Sequence, residues 1–124
     1  MTKKELFKSI NELCLNLDYK YDINNGGCCF VAAVIAQQLE NYNIPYEVYE
    51  YFSPCHYIIK VSDRCLNNPR EYYFRDKYIM EDYNSSKLFK LYYEEDWNEK
   101  YSRKWNLIVE TKLKSLFRKY GNHI

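Results

Sequence analysis

Residues 24–40 read NNGGCCFVAAVIAQQLE: two turn-forming asparagines, two glycines, two adjacent cysteines, then an apolar run that turns polar only at Gln37. An apolar stretch from Cys28 to Ala36 leaves a helix no polar face. Such a helix is expected to begin in the middle of the protein and to emerge at Gln37, Gln38 and Glu40. A buried helix start needs some acceptor for its first N–H groups, which have no partner inside the helix. Here that start carries two thiols.

On the N-terminal side, Leu6, Phe7, Ile10, Leu13, Cys14 and Leu17 recur at three- and four-residue steps. The spacing predicts an amphipathic helix from Thr2 to Leu17, followed by a turn-rich surface loop, DYKYDINNGG, up to Gly27. On the C-terminal side, NIP reads as a turn, YEVYEYF as a first strand and CHYIIKV as a second. The second strand puts His56, Ile58 and Lys60 on one face and Tyr57, Ile59 and Val61 on the other. SDRCLNNPR reads as a hairpin-like excursion and EYYFRDKYI as a third strand. From Ser86 the period turns helical again, with Trp105, Ile108, Val109, Leu113, Leu116, Phe117 and Tyr120 on one stripe that stops at Gly121, and Trp97 and Tyr101 on a preceding turn.

The order helix, helix, strands, helix, without an internal repeat or a low-complexity linker, predicts one α+β domain over residues 1–124. Within it fall an N-terminal helix (1–18), a central segment (22–80) and a C-terminal helical region (86–121). The length of 124 residues suits one hydrophobic core, and a hydrophobic fraction of 47% is globular. Lys and Arg total 18 against 17 Asp and Glu, a net charge of +1. That balance supplies no electrostatic reason for a nucleic-acid or anionic-membrane partner. The opening MTKKELFKSINEL lacks the apolar core of a signal peptide, and no apolar run nears the roughly 20 residues needed to span a bilayer. A cytoplasmic location is expected. The five cysteines, at 14, 28, 29, 55 and 65, form an odd set, which predicts free thiols rather than a secreted disulfide framework.

A thiol in the first helical turn sits at the positive end of the helix dipole, beside unpaired N–H groups, and both favour the thiolate. The glycines before it permit close approach of a substrate. The same N–H groups, with Asn25 and Gly27 as support, can hold the oxyanion formed when a thiolate attacks a carbonyl. A nucleophile needs a base and a group to orient the base. His123 stands one residue from the end, so His56, at the head of a strand, is the candidate base, and Asp76 in YYFRD the candidate orienting group.

Gly26, Cys28 and Ala32 in GGCCFVA, His56 in HYIIKV and Asp76 in YYFRD together resemble the papain-like cysteine peptidase superfamily in its compact transglutaminase-like form. The resemblance covers roughly residues 22–80. It implies a nucleophile-bearing helix packed on a small antiparallel sheet that carries the base, with the N- and C-terminal helices as additions. It also implies an acyl-cysteine intermediate in the cleavage or transfer of amide or thioester bonds in a peptide or protein substrate, without a cofactor. Cys29 stands where the family has an aromatic residue. Because Gly27, Cys29 and Ala33 match the same motif, Cys29 is the alternative nucleophile; Cys28 is preferred because Cys29 turns about 100° away, toward the core.

Simpler assignments stand beside these. Cys14 and Cys65 read as ordinary free cysteines, and Cys55 as packing on the sheet face opposite His56. Cys28, Cys29, Cys55, His56 and Cys65 contain no Cys-x-x-Cys knuckle, which argues against zinc. His56 could be an ordinary strand residue, and Asp76 could pair with Lys77. The rival function is a catalytically inactive scaffold of the same form that binds protein, as in a viral or mobile-element accessory protein.

Overall fold

A computed structural model describes residues 1–21, 28–51, 56–63, 70–74, 81–94 and 103–122. The elements run α1 (Lys3–Tyr21), α2 (Cys28–Asn41), β1 (Tyr46–Tyr51), β2 (His56–Asp63), β3 (Arg70–Phe74), β4 (Glu81–Tyr83), α3 (Ser85–Glu94) and α4 (Arg103–Gly121). The strands form one antiparallel sheet in the order β3-β2-β1-β4. The chain is α+β.

Three helix boundaries have a local chemical cause. Thr2 caps α1: its Oγ1 accepts from the Glu5 amide at 3.1 Å and its carbonyl from Leu6 at 2.9 Å. Asn84 caps α3 through Oδ1, which accepts from the Ser86 amide at 2.8 Å. The end of α2 is a Schellman turn. Ile44 N–H donates to the Leu39 carbonyl at 2.9 Å and Asn43 N–H to the Glu40 carbonyl at 3.1 Å, with Asn43 in the left-handed region at φ 56°. The apolar contact that accompanies such a turn is supplied by Leu39 and Ile44, both buried in the core.

One hydrophobic cluster joins all these elements. Leu6, Phe7, Ile10, Cys14 and Leu17 of α1 meet Phe30 to Ala36 and Leu39 of α2, Val48, Ile59, Val61 and Phe74 of the sheet, Leu88 of α3, and Val109, Leu113, Phe117 and Tyr120 of α4. The Phe7 and Phe74 rings, 6.1 Å apart and tilted by 59°, pin α1 to β3. The sheet therefore offers one face to the helices, with the row Phe74, Ile59, Val48 and Tyr83 running across all four strands in register.

Several expectations change. The first helix runs on past Leu17 to Tyr21, so Asp18 to Tyr21 are helical rather than loop; Lys20 in the last turn suits the negative end of the dipole. Gln38 does not emerge but is only 9% exposed. The second strand extends to Asp63, and a fourth, Glu81–Tyr83, pairs with β1 from beyond the central segment. Three residues are too few to show a period in sequence. Lastly, α1 and α4 are not additions to a finished core, since Phe7 and Phe117 are as fully buried as anything in α2.

Candidate active site

α2 begins at Cys28, and β2 begins at His56, whose backbone pairs with Tyr51 at the end of β1. Tyr46 OH donates to Glu40 Oε1 at 2.6 Å, which ties the start of β1 to the last turn of α2. From there β1 runs back beside the helix. A 14-residue helix is about 20 Å long and a six-residue strand about 17 Å, so α2 and β1 are matched in length. Cys28 and His56 each stand at the first residue of their element.

Strand parity adds a constraint. Ile59 and Val61 join the α2 cluster, whereas position 56 shares its parity with Ile58 and Lys60. Ile58 is also fully buried, so the second face of β2 is covered at that point.

Of the other candidate residues, Asp76, Asn25 and Gly27 lie outside the described residues, as do Cys55, Cys65, Trp97 and Tyr101. β3 is described as far as Phe74, which pairs with Ile59. Cys29 is the second residue of α2. Cys14 is buried in the core and forms no disulfide among the described residues, as its place on the α1 stripe led one to expect.

Glu50 is a residue that sequence reasoning passed over. It pairs with Tyr57 on one side and Glu81 on the other, one row inside the His56–Tyr51 pair. Its parity is that of Tyr46 and Val48, so it stands on the helix side of the sheet, near the His56 end of the hairpin. Counting twos along YEVYEYF would have separated it from Glu47. Glu47 belongs to the opposite face, where Tyr49 OH donates to its carboxylate and Lys60 Nζ lies 3.7 Å away. That arrangement is a half-exposed polar cluster at the other end of the hairpin.

Tyr46 is the titratable group whose environment is most distinctive. Burial, together with the hydrogen bond to Glu40, pushes its phenol well above the ordinary value near 10, against a smaller opposing effect from Ser85. Its role is structural, since it joins α2, β1 and the start of α3. Among the described residues there is no cluster of three or more His, Cys, Asp or Glu able to hold a metal ion, and no helix long and apolar enough to cross a membrane. No protein-family model, no curated protein and no solved structure matches the chain.

Proposed function

We propose that the end of the molecule where α2 and β2 both begin is a papain-like thiol site acting on amide or thioester bonds. The observation that carries this reading is positional: α2 starts at Cys28 itself and β2 at His56, and the matched lengths of α2 and β1, joined by a tight turn, support a path that returns the chain toward the helix start. Cys28 Sγ, as thiolate, attacks the carbonyl carbon, and a C–S bond forms while the charge moves to oxygen. N–H groups of the helix start, supported by Asn25 and Gly27, hold that oxyanion. Collapse breaks the C–N or C–S bond of the substrate, and the imidazolium of His56 delivers the proton to the leaving group. Water, or an amine in the transferase variant, then attacks the acyl-cysteine with His56 as base, and the thiol is regenerated. Asp76 orients the imidazole.

Alkylation by iodoacetamide, followed across pH with the modified residue located by mass spectrometry, tests the reading. Cys28 should react well below pH ~8, and His56→Ala should return its profile to that of an ordinary thiol near ~8.5. Modification confined to Cys29 would transfer the role to that residue. A profile near ~8.5 already present in the native protein refutes the thiolate.

The parity of position 56 favours a second reading, a papain-like scaffold that binds a protein without turning it over. In that case an amide-directed acylating probe leaves no acyl-enzyme on either cysteine. Both readings place the protein in an intracellular, reducing compartment with a peptide or protein as its counterpart.

A further inference from the structure

We propose that the outer side of the α1–α4 pair docks an acidic amphipathic helix of a partner protein. A groove of about 760 Å³ runs between these helices, with Leu13 and Leu116 among its lining. Its α4 wall carries Lys112, Arg118 and Lys119, all exposed and without an ion-pair partner among the described residues, against the single acid Glu12 on α1. The same helix holds six Lys or Arg and one acid, Glu110, which is already paired with Lys114 at 2.7 Å.

The large apolar residues exposed among the described ones belong to the same two helices: Leu15 at 71%, Tyr19 at 92% and Leu107 at 62%. Residues 12, 15, 16 and 19 fall on one stripe of α1, and 107, 111 and 118 on one stripe of α4, so these apolar side chains rim the face that the groove occupies. An apolar rim and floor with a basic wall is the complement of a helix bearing leucines along one stripe and carboxylates beside it. A second copy of the chain would bring the same surplus of cations, with only Glu12 in each lining to meet Lys112, Arg118 and Lys119 of the other. A nucleic acid would satisfy the cations but leave the Leu15, Tyr19 and Leu107 rim in water.

The site is separate from the thiol end. α4 finishes against Tyr42, just past the C-terminal end of α2, where the Tyr42 and Phe117 rings stack at 6.0 Å. The proposal therefore stands or falls independently of Cys28.

Fluorescence anisotropy with a labelled synthetic peptide, an amphipathic helix of leucines and glutamates, tests it. Two further probes complete the experiment: a peptide of the same composition with its leucines dispersed round the helix, and a single-stranded DNA oligomer. The amphipathic peptide should bind at least about tenfold more tightly than the dispersed one, and binding should weaken with added salt. Arg118→Glu with Lys119→Glu should cost about tenfold or more, and Leu15→Ser with Tyr19→Ser should remove the preference for the amphipathic peptide. All four positions are exposed, and circular dichroism confirms that the variants remain folded. Binding that is equal for the two peptides, unaffected by the substitutions, or stronger for DNA overturns the proposal. So does sedimentation showing self-association through this face.

Discussion

Gly121, the last residue of α4, allows a sharp test of how the helical layer closes. A methyl group built on it would lie 2.5 Å from Tyr42 Cε1 and 2.9 Å from its hydroxyl oxygen. Carbon atoms in contact sit about 3.5–4.0 Å apart, so the ring would have to retreat by about 1 Å. It has little freedom to do so. Tyr42 stacks on Phe117 at 6.0 Å and 24°, and meets Tyr120 edge-on at 5.9 Å and 70°. Overpacking of this kind costs about 1–3 kcal/mol, against a gain of up to about 1 kcal/mol from replacing glycine by alanine in a helix. Gly121→Ala should therefore destabilise by about 1–2 kcal/mol, read as a lower urea midpoint at constant slope. In a Tyr42→Ala background the clash disappears, and the same substitution should become neutral or stabilising by up to about 1 kcal/mol. The cycle should thus report a coupling of about 2 kcal/mol. A Gly121→Ala protein as stable as the parent, with no coupling to Tyr42, would refute the reasoning.

Three other outcomes are expected. Asn43, at φ 56°, should tolerate glycine but lose about 1–2 kcal/mol as valine in equilibrium unfolding, because a β-branched side chain is strained in the left-handed region. Tyr46→Phe should flatten the alkaline limb of the stability curve. The phenol's folded value lies above its unfolded one, so its contribution is whole below pH ~10 and lost as pH rises beyond it; one proton caps the slope at ~1.4 kcal/mol per pH unit, and partial exposure reduces the total effect. Urea unfolding at several pH values compares the two proteins, and parallel curves would contradict the effect. Phe74→Ala should cost about 3–5 kcal/mol, and a cycle with Phe7→Ala should show about 0.5–1.5 kcal/mol of aromatic coupling between α1 and β3.

The sequence by itself determined the elements whose signal is carried by near neighbours. The unbroken apolar run after Gly27 marks a buried helix beginning at Cys28, and the three- and four-residue steps of Leu6 to Leu17 and Val109 to Tyr120 mark α1 and α4. Their burial follows because a side chain three or four residues along a helix is also its neighbour in space. The thiol and imidazole positions were legible for the same reason, each standing at the first residue of a strongly patterned element. Only the tertiary structure decided the rest. The order β3-β2-β1-β4 depends on pairings between residues far apart in the chain, and β4 exists as a strand because β1 presents an edge at Val48 to Glu50, not because EDY has a period of its own. Gln38 is buried although its polarity marks it for the surface, and Ile58 is buried because both faces of β2 are covered at that point. The same alternation set position 56 on the row opposite the α2 cluster and Glu50 on the helix side. Which strand face meets the helix is a property of packing that no single strand carries.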